Sequence, residues 1–201
     1  MKIEKIIIFV SICIFSIVTT VAQEIDFISS DIKITDNGNI LKAADVIVKV
    51  PKKNLIAESD KAKYNKKTKL IIFESNVKIQ DLSKNLIIIG DKIEYDQGKD
   101  VIKSKSKSNI NINNKYVIES KELLYDRKSG KLFSNNDAII VDNRKNIFKL
   151  KDKFEFDTIN EIIKAKNSLI IDNQNNKYLF EDIVINLNKN EIIGKELKIE
   201  F

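Results

Sequence analysis

The chain has no histidine and no tryptophan, and only one cysteine among its 201 residues. Few groups remain that could do acid–base, nucleophilic or redox chemistry. The remaining candidates are carboxylates, lysines and hydroxyls. Carboxylate pairs can act as acid and base on glycosides. Here, however, Asp and Glu recur in turn-like stretches such as "YDQGKD" and "YDRKSGK", where capping of the local backbone accounts for them. There is no Gly-x-Ser-x-Gly elbow and no phosphate-binding glycine loop. The His and Cys ligands of zinc sites and the Asp-x-Asp-x-Asp-Gly loop of calcium sites are also missing. Neither a reaction, nor a metal, nor a cofactor is expected.

The formal charge of +6 points instead to binding of something anionic: nucleic acid, anionic lipid or polysaccharide. The most basic short stretch is "VIKSKSKSNINI", Val101 to Ile112. It lacks the aromatic interleaving of nucleic-acid-binding segments. Together with an export signal, this argues against nucleic acid.

That signal is the N-terminus, "MKIEKIIIFVSICIFSIVTTVAQ". Lys2 and Lys5 precede an apolar run, and small residues follow, as in a secretory signal peptide cleaved after Ala22. Residues 1–22 are thus expected to be the signal peptide and residues 23–201 one exported domain. An uncleaved anchor over residues 6–21 is the alternative, since a membrane span needs roughly 20 residues. Cys13 lies inside this run, so the exported part has no thiol chemistry.

The remainder repeats itself. Tyr64-Asn65, Tyr95-Asp96, Tyr125-Asp126 and Phe156-Asp157 follow one another at intervals of 31, 30 and 31 residues. Around each lie two segments of about ten residues, rich in Ile, Val, Phe and Tyr and joined by Asn-, Asp- and Gly-bearing turns. Period-two alternation between such turns reads as strands. Ten to twelve strands are expected, in an all-β fold stacked from two-strand units of about 31 residues. In this frame "VIKSKSKSNINI" is a strand, with Ile102, Ser104, Ser106, Ser108, Ile110 and Ile112 inward and its lysines in solvent.

Equivalent inward positions define a continuous apolar lane. Its candidate lining is Ile71, Phe73, Val77 and Ile79; then Ile102 and Ile110; then Leu132, Ala138 and Ile140; then Ile163, Leu169 and Ile171. The lane is either a plain core or a groove that accepts acyl chains, with mid-strand small residues such as Ser104, Ser134 and Ala165 leaving room.

Three motifs carry a family resemblance. They are "AESDKAKYNKKT" at Ala57–Thr68, "IIFESNVKI" at Ile71–Ile79 and "IIGDKIEYD" at Ile88–Asp96. In order and spacing they resemble the organic-solvent-tolerance/LptA-like family, closely over two or three units and more loosely to Phe201. The resemblance implies an open β-jellyroll, taco-like, whose apolar interior carries the lipid A chains of lipopolysaccharide. It also implies a periplasmic bridge of such domains joined by edge-strand addition, between inner-membrane components and an outer-membrane barrel. Members include a soluble bridge protein, a membrane-anchored component and the N-terminal domain of the barrel protein (LptD). The last carries cysteines that the exported part of this chain lacks. A closed structural or adhesive β-solenoid without lipid is the competing expectation.

Overall fold

The computed structural model describes residues 25–200; the expected signal peptide, residues 1–22, and its cleavage junction lie outside them. The described chain is all-β, seventeen strands in one antiparallel sheet plus a short 3-10 turn at Pro51–Lys53. It enters through β1 (Asp26–Ile28) and β2 (Asp31–Thr35), which pair with different halves of β3 (Ile40–Val50). β4 (Leu55–Asn65), β5 (Leu70–Asp81) and β6 (Leu86–Asp96) follow as uninterrupted strands. Three broken paths come next: β7 (Val101–Ser104) with β8 (Lys107–Ile112), β9 (Tyr116–Lys121) with β10 (Leu124–Asp126), and β11 (Lys131–Ser134) with β12 (Ala138–Asp142). β13 (Ile147–Asp157), β14 (Ile162–Ile171) and β15 (Lys177–Asn186) are again whole, and β16 (Glu191–Lys195) and β17 (Lys198–Glu200) form the last broken path. With each broken path taken as one, twelve paths lie side by side.

Each path bends in its middle. The bend divides the sheet into two layers that face one another. β2, β7, β10, β11 and β16 belong to the first layer, and β1, β8, β9, β12 and β17 to the second; every whole strand gives one half to each. Residues able to adopt left-handed backbone stand at many corners: Asp45, Ser75, Asn76, Glu122, Asp152 and Asn167 all have positive φ. Asp and Asn take that conformation at low cost because their side chains bond locally.

Buried serines complete the corners. Leu123 N–H donates to Ser104 Oγ at 2.9 Å, and Ser108 Oγ donates to Ser104 Oγ at 3.1 Å. Ser134 Oγ donates to the Lys121 carbonyl at 2.9 Å, Ser59 Oγ to the Lys61 carbonyl at 2.9 Å, and Ser168 Oγ to the Lys166 carbonyl at 3.2 Å. A bent strand frees ladder groups that cannot stay unpaired when buried, and these hydroxyls satisfy them. Ser104 and Ser134 are therefore corner ties, whereas their small size had suggested ligand space.

Between the layers the side chains form two cross-strand rows. In the first layer Tyr64, Ile71, Tyr95, Ile102, Tyr125, Leu132, Phe156, Ile163 and Ile185 stand opposite one another in turn. The aromatics at intervals of about 31 residues thus fall in one line, each flanked by aliphatics, a favourable cross-strand pairing. In the second layer the row runs Ala57, Ile79, Ile88, Ile110, Ile118, Ile140, Phe148 and Ile170. All these residues except Tyr64 are buried and belong to one apolar cluster. Rings also meet across the layers, Phe27 stacking on Tyr64 at 5.8 Å and Tyr116 meeting Phe156 edge-on at 5.6 Å.

Candidate functional site

The candidate lining residues from the sequence separate into three groups. Ile71, Ile102, Leu132 and Ile163 sit in the first-layer row, and Ile79, Ile110 and Ile140 in the second-layer row. Phe73, Val77 and Ala138 are buried beside the corners. Leu169 and Ile171 do not join them. They are half-buried on the outer face, and Ser168 and Ile170 point inward instead. The reason is the number of residues at the corner. β5 bends through Ser75 and Asn76, two positive-φ residues, so Val77 and Ile79 keep the parity of Ile71 and Phe73. β14 bends at Asn167 alone, and the parity of its second half reverses.

Through the middle of the molecule the expected open groove is filled and shut. The turns of the two layers meet over it. Arg127, in the turn after β10, donates from Nε to Asp81 at 2.9 Å, from one terminal nitrogen to Asp100 at 2.7 Å, and from the other to the Lys53 carbonyl at 2.6 Å. Lys53 Nζ reaches Asp100 at 3.0 Å, and the hydroxyls of Tyr95 and Tyr125 donate to Asp100 and Asp81. Lys53 and Asp81 belong to second-layer turns, Asp100 and Arg127 to first-layer turns, so this ion cluster bridges the mouth. The Arg127 and Asp81 side chains are 5% and 1% exposed.

Burial works against charge here, and the partners more than offset it. Burial pushes the Asp100 carboxyl up, but hydrogen bonds from Arg127 and Lys53 hold it below its ordinary value. Burial likewise disfavours the charged guanidinium, yet Asp81 and Asp100 raise its pKa further. Tyr95 and Tyr125 are pushed up by burial and by their carboxylate neighbours, so both stay neutral donors.

Farther along, the bridges thin. Glu161, in the first-layer turn after β13, accepts from Lys115 Nζ at 3.0 Å and from the Tyr116 hydroxyl at 2.9 Å. Burial, then Glu161, raises the Tyr116 pKa. Beyond it one exposed hydrogen bond, Arg144 to Asn190 at 3.0 Å, crosses the mouth.

Here a cavity of about 530 Å³ opens between the layers. Phe148, Ile170, Phe180, Ile185, Leu187 and Ile192 give it an apolar lining, and Lys115, Arg144, Asp142, Glu161 and Asp172 a charged rim. The rim acids are already engaged. Asp142 caps its own turn, accepting from the backbone of Arg144 and Asn146 at 2.9 and 2.8 Å. Asp172 accepts from Asn176 and Tyr178, and the Asn176 bond above all lowers its pKa. An apolar lining under a polar rim suits an amphiphile. No cluster of three potential metal ligands occurs among the described residues, and none of their helices is long and apolar enough to cross a membrane.

Arg127, Tyr116, Phe148 and Phe180 were not picked out from the sequence. One signal was available: the chain has two arginines among its many lysines, Arg127 and Arg144, and both stand at the mouth. A guanidinium binds several acceptors at once, which an ammonium does not.

The profile of the family described as lipopolysaccharide-assembly, LptC-related, matches residues 23–147. No curated protein matches the chain. Among solved structures, the chain is similar to LptH from Pseudomonas aeruginosa, described as the LptA-homologous periplasmic component of the lipopolysaccharide transport device. The identity is 11%, over 72% of this chain and 82% of that one, with a TM-score of 0.29.

Proposed function

Given that the chain belongs to the LptC-related lipopolysaccharide-assembly family, we propose that it is a periplasmic lipopolysaccharide-transport component with a β-jellyroll fold that holds the glycolipid by its acyl chains. The observation that carries this reading is the cavity at the β12–β16 end, where the two inner rows run out beneath a polar rim. Acyl chains would lie against Phe148, Ile170 and Phe180, burying apolar surface at roughly 25 cal/mol per Å², while the sugar head stays at the rim. The protein supplies a slide of roughly equal-affinity apolar sites and no reaction. Its partners are neighbouring domains of the same kind, joined by strand addition, with inner-membrane components on one side and the outer-membrane barrel on the other.

The LptC-related match favours the membrane-anchored component over the soluble bridge protein or an LptD-type domain, with residues 6–21 as the anchor. N-terminal sequencing of the protein from cells separates the two: a start at Gln23 means cleavage, and an intact leader means an anchor.

Photocrosslinking in cells tests the lipid assignment. A probe at Phe148 or Phe180 is expected to capture lipopolysaccharide, and probes at Lys103 or Lys105 are not. Capture at the lysine positions alone would falsify the reading. Probes at Ile71 or Ile102, beneath the Arg127 cluster, tell whether the lipid also occupies the middle of the interior.

A further inference from the structure

The outer face of the first layer has a feature that carrying lipid in the interior does not use. At the β13–β16 end a second cavity of about 460 Å³ lies against Phe154, Ala165, Ile183 and Gly194. Across it, Glu155, Lys164, Val184 and Ile193 stand opposite one another on successive strands. Val184 is 38% and Ile193 70% exposed. Four lysines surround them: Lys153, Lys164, Lys166 and Lys195.

The charges do not balance. Glu155 is paired with Lys131 at 2.8 Å and Asp182 with Lys166 at 3.6 Å. Lys153, Lys164 and Lys195 have no acidic partner among the described residues. All three are exposed, so removing their charge disturbs no packing. A hydrated sheet face ordinarily intersperses charges of both signs. Here lysines outnumber the two acids, Glu155 and Asp182, around a concave spot that also exposes the aliphatic Val184 and Ile193. Lysines around exposed aliphatics are the composition that binds a bilayer interface, the ammonium groups meeting anionic headgroups while the aliphatics enter the acyl boundary.

We propose that this face docks on an anionic lipid bilayer, with headgroup phosphates among Lys153, Lys164 and Lys195 and with Ile193 and Val184 as the inserted residues. The occupant is a membrane surface and not free phosphate, because phosphate alone would leave the two aliphatics exposed. The proposal does not depend on lipid in the interior, which opens through a different cavity.

The absence of tryptophan from the chain supplies a clean probe. Full-length protein carrying Ile193→Trp is mixed with vesicles of phosphatidylcholine alone or with added phosphatidylglycerol, and its fluorescence is followed. The expected result is a blue shift with the anionic vesicles only. It should weaken as ionic strength rises past about 0.1 M, where the Debye length is about 10 Å. Adding Lys153→Gln, Lys164→Gln and Lys195→Gln should lower the partition coefficient about fivefold per lysine, roughly a hundredfold in all. Circular dichroism checks that this variant is folded, and the salt series on the unaltered lysines stands if it is not. The proposal is overturned by no shift, by an equal shift with both vesicle types, by a shift with inorganic phosphate alone, or by the same shift from Ile139→Trp on the outer face of the second layer. Indifference of the folded lysine variant overturns it as well.

Discussion

The stretch from β4 to β11 and the stretch from β13 to β16 are built from the same alternation of inward apolar and outward polar residues, yet one is closed and the other has a mouth. Inward residues of the first stretch, such as Ile71, Tyr95, Ile102 and Leu132, are fully buried, and the Arg127 cluster bridges the turns above them. The second stretch keeps comparable side chains, Phe148, Ile170, Phe180 and Ile185, but its last bridge is one exposed hydrogen bond. Strand pattern thus makes an apolar interior, and turn residues decide whether that interior is core or site.

The largest test of this contrast removes the closed side's bridge. Arg127→Leu leaves Asp81 buried with no cationic partner and Asp100 with Lys53 alone, and a loss of about 3–5 kcal/mol is expected in urea unfolding. Arg144→Ala, at the mouth, should change stability by no more than about 0.5 kcal/mol. Equal effects would erase the distinction. The cluster also predicts a pH dependence. The Asp100 carboxyl is held below its ordinary 3.8, so its contribution is complete above that value and is lost as the pH falls through the depressed value of the folded state. Asp100→Asn should flatten that acid limb, as read from unfolding midpoints across the range.

A smaller effect is expected beside the corner of β16, where Gly194 packs on Phe180. A Cβ on Gly194 would run into the Phe180 ring. Gly194→Ala should cost about 1–3 kcal/mol through displacement of that ring. Combined with Phe180→Ala, the penalty should largely vanish, a coupling that a double-mutant cycle measures. A comparable or smaller loss is expected at a corner. Ser104→Ala leaves the Leu123 N–H without its acceptor and should lower stability by about 1 kcal/mol or somewhat more.

Most of the strand pattern was legible from residue types. The aromatics from Tyr64 to Phe156 mark one row, and "VIKSKSKSNINI" keeps its inward Ile102, Ser104, Ser108, Ile110 and Ile112, while Ser106 falls in the bend between β7 and β8 and is only half-buried. Parity beyond a bend was not legible. Ser75-Asn76 and Asn167 look alike as polar mid-strand interruptions, but two residues preserve the alternation and one reverses it, which put Leu169 and Ile171 on the wrong face. The site was harder still, because its closing contacts join residues far apart in the chain. Arg127 and Asp81 are 46 positions apart, and no local pattern announces their meeting.

The corners have a mechanical consequence. Every path turns along the same seam through its own few torsions, several of them with a serine tie of their own, so the two leaves of the molecule share no single rigid hinge. Pressure from within is met strand by strand: a slot of this construction widens where it is pushed and stays shut where its turns are bolted.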